Sequence, residues 1–317
     1  RLPFVDKLIY RIIKDEATYL TALRTGQLDI LEAIRWIAVD HLKESTPELN
    51  WNRWLATSGT FVSLRVDIKP FDDIRVRRAL NLAINQQEIV DQFYGGHAEL
   101  MAYPQHPGFG DYFEPLSEMP GSIQELFAYN PQKARELLDE AGVPEGFTFN
   151  MQVCSCSPSN MDLIPLLESY LRKVGINIVI QPMEYASFLS AMTTRTHSAG
   201  YLMNSGHVNP ITTIRKSFVT KQTWNPSQFS DPAFDEQVRI LHLTRDEKER
   251  VKILRQLTRT ILEASPYIWL PIPYVHTAWW PWVKNYGGEL RVGAVRPGPI
   301  YARIWIDRQM KKKMGFD

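Results

Sequence analysis

The apolar positions of this chain switch repeatedly between two spacings. Residues 4–13 are dense in β-favouring side chains and predict an opening strand. A helix over 16–24 follows, stopped by Gly26, and a second strand comes after it. Residues 36–62 carry no clean period, with Trp36, Trp51 and Trp54 scattered among polar residues. Val76, Ala79, Leu80, Ala83 and Ile84 then form a helical stripe behind the N-cap candidates Asp72 and Asp73. Asn85 and Glu88 have capping-box spacing for a further short helix.

Beyond a loop rich in proline and glycine (97–129), the alternation of helix and strand becomes regular. Asn130 and Pro131 open a helix that Gly142 closes, and Phe147, Phe149, Met151 and Val153 alternate as a strand. A helix over 158–174, a strand marked by Ile176, Ile178 and Ile180, a helix over 185–193 and a strand over 199–204 continue the series. Helices capped by Asp231 and Asp246 and a late strand over 267–272 complete it, so the class is α/β.

Composition narrows the possible roles. At 317 residues, two domains are the default expectation. A net charge of +1 argues against a nucleic-acid binder, which needs a basic excess. Arg75, Arg77 and Arg78 look like a patch, but they fall on the polar side of the predicted helix beside its acidic caps, where modest surface pairs are expected. The basic run Lys311 to Lys313 reads as a solvated tail. No apolar run is long enough to span a membrane. The only cysteines, Cys154 and Cys156, are two positions apart, a spacing unfavourable for a bridge. They are expected as partly buried, unreactive thiols.

No nucleophile elbow, P-loop or dinucleotide fingerprint occurs, and acidic pairs such as Asp139/Glu140 sit where helix faces need them. No catalytic constellation, metal site or cofactor is predicted. A hydrolase using His207 or His276 is the rival reading, and it lacks a nucleophile in the sequence pattern. Two stretches suggest binding instead. "HTAWWPW" (276–282) crowds Trp279, Trp280 and Trp282 around Pro281, too many rings for one strand face, so one or more is expected to line a groove. "MNSGHVNP" (203–210) is a polar loop at the end of a strand, where open α/β sheets place ligands.

The order of these blocks resembles the family 5 extracellular solute-binding proteins, the binding components of ABC importers. The resemblance runs from "LPFVDKLIYRIIKDEATYLTALRTGQLDI" and "PFDDIRVRRALNLAINQQEIV" through "YNPQKARELLDEAG" and "LLESYLRKVGINIVIQPMEYASFL". It ends at "EASPYIWLPIPYVHTAWWPWVKNYGG" and covers nearly the whole chain. It implies a type II periplasmic-binding-protein-like fold of two lobes with a hinge. Residues 1–62 and 275–317 would form the first lobe and residues 63–274 the second. The family's first lobe has further strands ahead of the stretch that opens this chain. The expectation is therefore an incomplete first lobe, completed by a missing N-terminal segment or by a separate chain.

The resemblance also implies a function: delivery of a solute (a peptide, a related compound or an oligosaccharide) to ABC permease subunits, without enzymatic activity. The protein would be periplasmic or extracellular, free or lipid-anchored. In peptide-binding relatives an aspartate takes the ligand's amino group; alignment on Pro210 puts Gly206 there. The arginine that takes the carboxylate in dipeptide binders is replaced by "CSCSPSN". With both charged anchors absent, a short zwitterionic peptide is disfavoured and a neutral or weakly charged ligand is expected. The expected wall is Asn204, Ser205, Gly206, His207 and Asn209, with Cys154, Ser155, Cys156 and Ser157 nearby. Trp279 or Trp280 would stack on the ligand, and Arg215 is a further candidate for a carboxylate contact.

Overall fold

The structure is a computed structural model that describes residues 2–206, 209–289 and 298–316. In chain order its principal elements begin with helix α1 (Glu16–Arg24) and strands β1 (Ile30–Arg35), β2 (Asn50–Leu55) and β3 (Ser58–Leu64). Helices α2 (Ile74–Ala83) and α3 (Pro131–Glu140) precede β4 (Phe147–Cys154), α4 (Pro158–Lys173), β5 (Ile176–Met183), α5 (Tyr185–Thr193) and β6 (Gly200–Gly206). Helices α6 (Pro210–Phe218), α7 (Pro232–Leu243) and α8 (Glu247–Ala264) lead to β7 (Tyr267–Trp269) and β8 (Ile272–Trp279).

The chain divides into two compact units, one of Arg1–Ala56 with Pro273–Asp317 and one of Thr57–Ile272. The first crossing point lies earlier than the sequence led us to place it. Residues 57–62 belong with the second unit, because β3 pairs along its whole length with β6 of that unit's sheet.

The second unit is built on a five-stranded sheet in the order β5-β4-β6-β3-β7. Strand β4 runs parallel to both β5 and β6, and β3 runs antiparallel to β6 and β7. Alternation explains β4: Phe149, Met151 and Val153 are buried, whereas Thr148 and Asn150 face solvent. The helix starts follow the sequence chemistry. The side-chain oxygens of Asn130, Asp231 and Asp246 accept first-turn N–H groups of α3, α7 and α8, which relieves donors that have no intrahelical partner.

The arginine cluster on α2 departs from expectation at one position. Arg75 pairs with Asp73 and donates to the Glu140 carbonyl at 2.9 Å, and Arg78 bonds the Ser122 carbonyl at 2.9 Å. Arg77 instead is buried at 8% exposure, and its guanidinium donates to the carbonyls of Phe71, Asp72 and Ala264 at 2.8, 3.0 and 2.9 Å. Ala264 is the last residue of α8, where carbonyls lack helical partners and the helix dipole favours a cation. Three aligned acceptors suit the planar fork and allow it to be buried.

In the first unit, β8 lies between β1 and β2, antiparallel to both. Its core holds Leu23, Ile34, Leu42, Trp279, Trp280, Trp282 and Tyr301. The opening strand is not formed: residues 2–15 hold neither helix nor strand. Phe4 donates its N–H to the Ala302 carbonyl at 2.9 Å, and the apolar side chains stand in solvent, Ile9 at 63% and Ile12 at 92% exposure. The β-favouring composition is present, but propensity without a laddering neighbour does not make a strand.

Candidate functional site

Because β4, β5 and β6 are parallel, their C-terminal ends share one edge of the second unit's sheet, and β3 begins at that same edge with Ser58 opposite Gly206. Loops that leave this edge carry most of the predicted wall. Asn204 is on β6, and its amide joins neighbours, accepting from Asn160 of α4 at 2.7 Å and donating to the Thr60 hydroxyl at 3.1 Å. Ser205 is buried on the opposite face beside the Tyr103 hydroxyl, which donates to Ser217 at 2.9 Å. The Tyr103 side chain packs directly against Gly59. A Cβ at Gly59 would come within 2.3 Å of the ring, so glycine is required there. Asn209 is the N-cap of α6, with its side-chain oxygen accepting the Thr212 N–H at 2.8 Å. Arg215 is exposed on α6. His207 lies outside the described residues.

The loop after β4 gives a correction. Cys154 and Cys156 are joined by a disulfide, with their Cα atoms 5.1 Å apart. The expected inert thiols are absent because the chain turns immediately at the strand end. The turn brings the two residues within the usual Cα separation for a bridge despite their closeness in sequence. Ser155 holds the turn in place: its N–H and hydroxyl both donate to the Met183 carbonyl, at 2.9 and 3.0 Å. Ser157 is the N-cap of α4 and makes no side-chain capping bond.

One residue at this strand end was not legible in the sequence. Lys216, on the last turn of α6, folds back to donate from Nζ to the Gly206 carbonyl at 2.5 Å, with the half-exposed Trp224 ring 6.0 Å away. Burial pushes its ammonium below the usual lysine range. No carboxylate among the described residues lies within ion-pair distance of it. A cation therefore stands at the strand end whose loops the missing anchors had implied to be uncharged. Ten positions separate Lys216 from Gly206, and only the return of α6 over the strand end joins them.

The tryptophans also differ from expectation. Trp279 and Trp280 belong to the first unit and are buried there at 6% and 2% exposure. The Trp280 indole donates to the Leu23 carbonyl at 2.8 Å, and its ring stacks on Trp282 with centroids 4.4 Å apart and planes 4° from parallel. Trp279 packs edge-on against Tyr286 at 5.1 Å. Strand β8 ends at Trp279, so alternation stops there, and the turn at Pro281 puts Trp280 and Trp282 on the same side. Neither Trp279 nor Trp280 offers a face for stacking on a ligand. His276, the candidate base, is buried on β8 between Ile34 and Arg53 of the flanking strands. Among the described residues no group of three His, Cys, Asp or Glu side chains could hold a metal ion, and no helix is long and apolar enough to cross a membrane.

Comparison with known proteins gives this geometry a context. The chain is 27% identical over 269 residues to di/tripeptide-binding protein 1 of Pseudomonas aeruginosa (strain UCBPP-PA14), covering 83% of this chain and 48% of that protein. It is 26% identical over 288 residues to the glutathione-binding protein GsiB of Salmonella choleraesuis (strain SC-B67), covering 86% of this chain and 52% of that one. It thus spans about half the length of the curated relatives it matches. The oligopeptide-binding protein AppA of Bacillus subtilis, solved with a nonapeptide, superposes with a TM-score of 0.79 at 20% identity, over 93% of this chain and 59% of that one. That likeness assigns the fold, a periplasmic-binding-protein type of mixed α/β architecture. The profile described as "Bacterial extracellular solute-binding proteins, family 5 Middle" matches residues 1–226, and the chain belongs to that family.

Proposed function

We propose that this protein is the solute-binding component of an ABC importer. It would work in the periplasm or outside the cell, free or tethered by a lipid, and hand a peptide or peptide-like compound to permease subunits. The observation that carries this reading is the family membership, which spans the stretch that builds most of the ligand-side edge. The chemistry of that edge supports a peptide over the alternative cargo, an oligosaccharide. A sugar site would lean on exposed aromatic faces, and Trp279 and Trp280 are buried. Hydroxyls, carbonyls and main-chain N–H groups, with the Lys216 ammonium among them, suit an extended backbone and a carboxylate or carbonyl on the cargo. The reading needs no catalytic group.

In this proposal the two units correspond to the two lobes of a receptor, and cargo favours whichever conformation it binds more tightly. The apolar side chains exposed along residues 2–12 support completion of the first lobe by further residues, for which the longer relatives have room. Calorimetric titration of the full-length protein against di- and tripeptides, longer peptides and oligosaccharides tests the assignment. Peptide at about 100 times its dissociation constant should raise unfolding stability by roughly 2.7 kcal/mol. Lys216→Met should weaken peptide binding about tenfold, because a hydrogen bond to a charged group is lost. Heat with sugars alone, or with none of these classes, would reject the reading.

A further inference from the structure

The Cys154–Cys156 bridge is explained neither by cargo binding nor by folding. A cross-link stabilises a fold mainly by restricting the unfolded chain, and the effect grows with the length of the loop closed. Here the sequence separation is 2, so that restriction is at the bottom of its range. The bridge also ties no element to another, since both sulfurs belong to the end of β4 and the turn that follows it.

The turn makes the two halves of the bridge unequal. Cys154 is 4% exposed, whereas Cys156 stands in solvent. Cys156 is therefore the residue of the pair presented to an incoming nucleophile. One feature favours Cys154 as the leaving sulfur: its Sγ already accepts the Cys156 N–H at 3.2 Å. Burial alone would disfavour a Cys154 thiolate, and the N–H donor acts in the opposite direction.

We propose that Cys154–Cys156 is a redox-active disulfide that exchanges with small-molecule thiols, with Cys156 as the sulfur attacked. A thiolate R–S⁻ attacks Sγ of Cys156 and forms the bond R–S–Sγ. The bond between the two protein sulfurs breaks, and its electron pair remains on Cys154 as a thiolate held by the Cys156 N–H. Attack by Cys154 on the mixed disulfide expels R–S⁻ and restores the bridge. Attack by a second R–S⁻ on the sulfur of R releases R–S–S–R and leaves both cysteines reduced. This chemistry does not depend on the cargo assignment, because it requires only the exposed Cys156 and its neighbours.

The test uses the full protein purified without reductant and reduced glutathione as the probe thiol. After acid quenching and alkylation, peptide mapping by mass spectrometry should find glutathione on Cys156 and the alkyl group on Cys154. Cys156→Ser should abolish the adduct. Cys154→Ser, loaded from glutathione disulfide, should hold its adduct at least ~10 times longer than the wild type, because the internal thiol that expels it is gone. Three results would overturn the proposal: a bridge untouched by excess glutathione, an adduct on Cys154, or two free thiols in protein never exposed to reductant. Should either variant fail to fold, the wild-type map decides on its own.

Discussion

Residues 147–154 and residues 4–13 are both short, apolar, β-favouring stretches. The first lies between two parallel neighbours, β5 and β6, and buries Phe149, Met151 and Val153 at 5%, 1% and 0% exposure. The second has no ladder among the described residues and leaves Ile12 at 92% exposure. The difference lies in what surrounds each stretch. Alternation states which face a strand would bury, and only a neighbouring backbone with free N–H and C=O groups turns that preference into structure.

The same contrast holds for the two units. The second sets its strands in a sheet of five, with helices α3, α7 and α8 capped by the side chains of Asn130, Asp231 and Asp246. The first relies on a compact aromatic core in which Trp280, Trp282 and Phe316 lie within 4.4 to 5.0 Å of one another, centroid to centroid. The first unit should therefore be the more fragile to loss of a single ring. Trp280→Ala removes a buried side chain and its bond to Leu23, and should cost about 3–5 kcal/mol in urea unfolding. A loss under about 1 kcal/mol would show that the aromatic core does not hold the unit.

A smaller effect separates the units by pH. His197, in the second unit, is held below its ordinary value of 6.5 first by burial, with Arg65 acting the same way and the Pro226 carbonyl and Asp67 opposing. The unfolded chain therefore takes up a proton before the folded one, and this contribution to stability is lost as pH falls below 6.5. In the first unit, Glu16 is held below 4.5 mainly by its hydrogen bond to Arg35, so its contribution is present above 4.5 and lost only below that. Urea midpoints measured between about pH 7 and 5 should fall for the wild type, and the slope should flatten in His197→Gln. An unchanged slope in the variant would remove His197 from the account. The smallest effect is expected at the open strip. In residues 1–317 alone, Ile12→Ser should shift stability by no more than about 0.5 kcal/mol, because nothing in the described structure is lost with the side chain. A large destabilisation would mean that Ile12 is covered in the intact protein.

Legibility in the sequence followed the range of the forces involved. The N-caps Asn130, Asp231 and Asp246 and the alternation in β4 could be read because each depends on residues a few positions apart. At the candidate site, Gly206 and Asn209 could be placed near a strand end, but the contact of Lys216 with Gly206 could not. Arg77 looked like its exposed neighbours until the carbonyls of Phe71, Asp72 and Ala264 were brought around it, the last from 187 residues away. The tryptophans of 279–282 were misjudged because the strand's period was carried past its end at Trp279.

By itself the sequence determined the α/β class, the helix starts and the family, since local spacing, capping chemistry and the order of blocks along the chain carry that information. Tertiary structure alone decided which charges and rings are buried. It also decided that two cysteines two positions apart meet in a bridge, and that an apolar strand-like stretch stays open. Burial and pairing depend on which distant backbone arrives alongside, and no local pattern records that arrival.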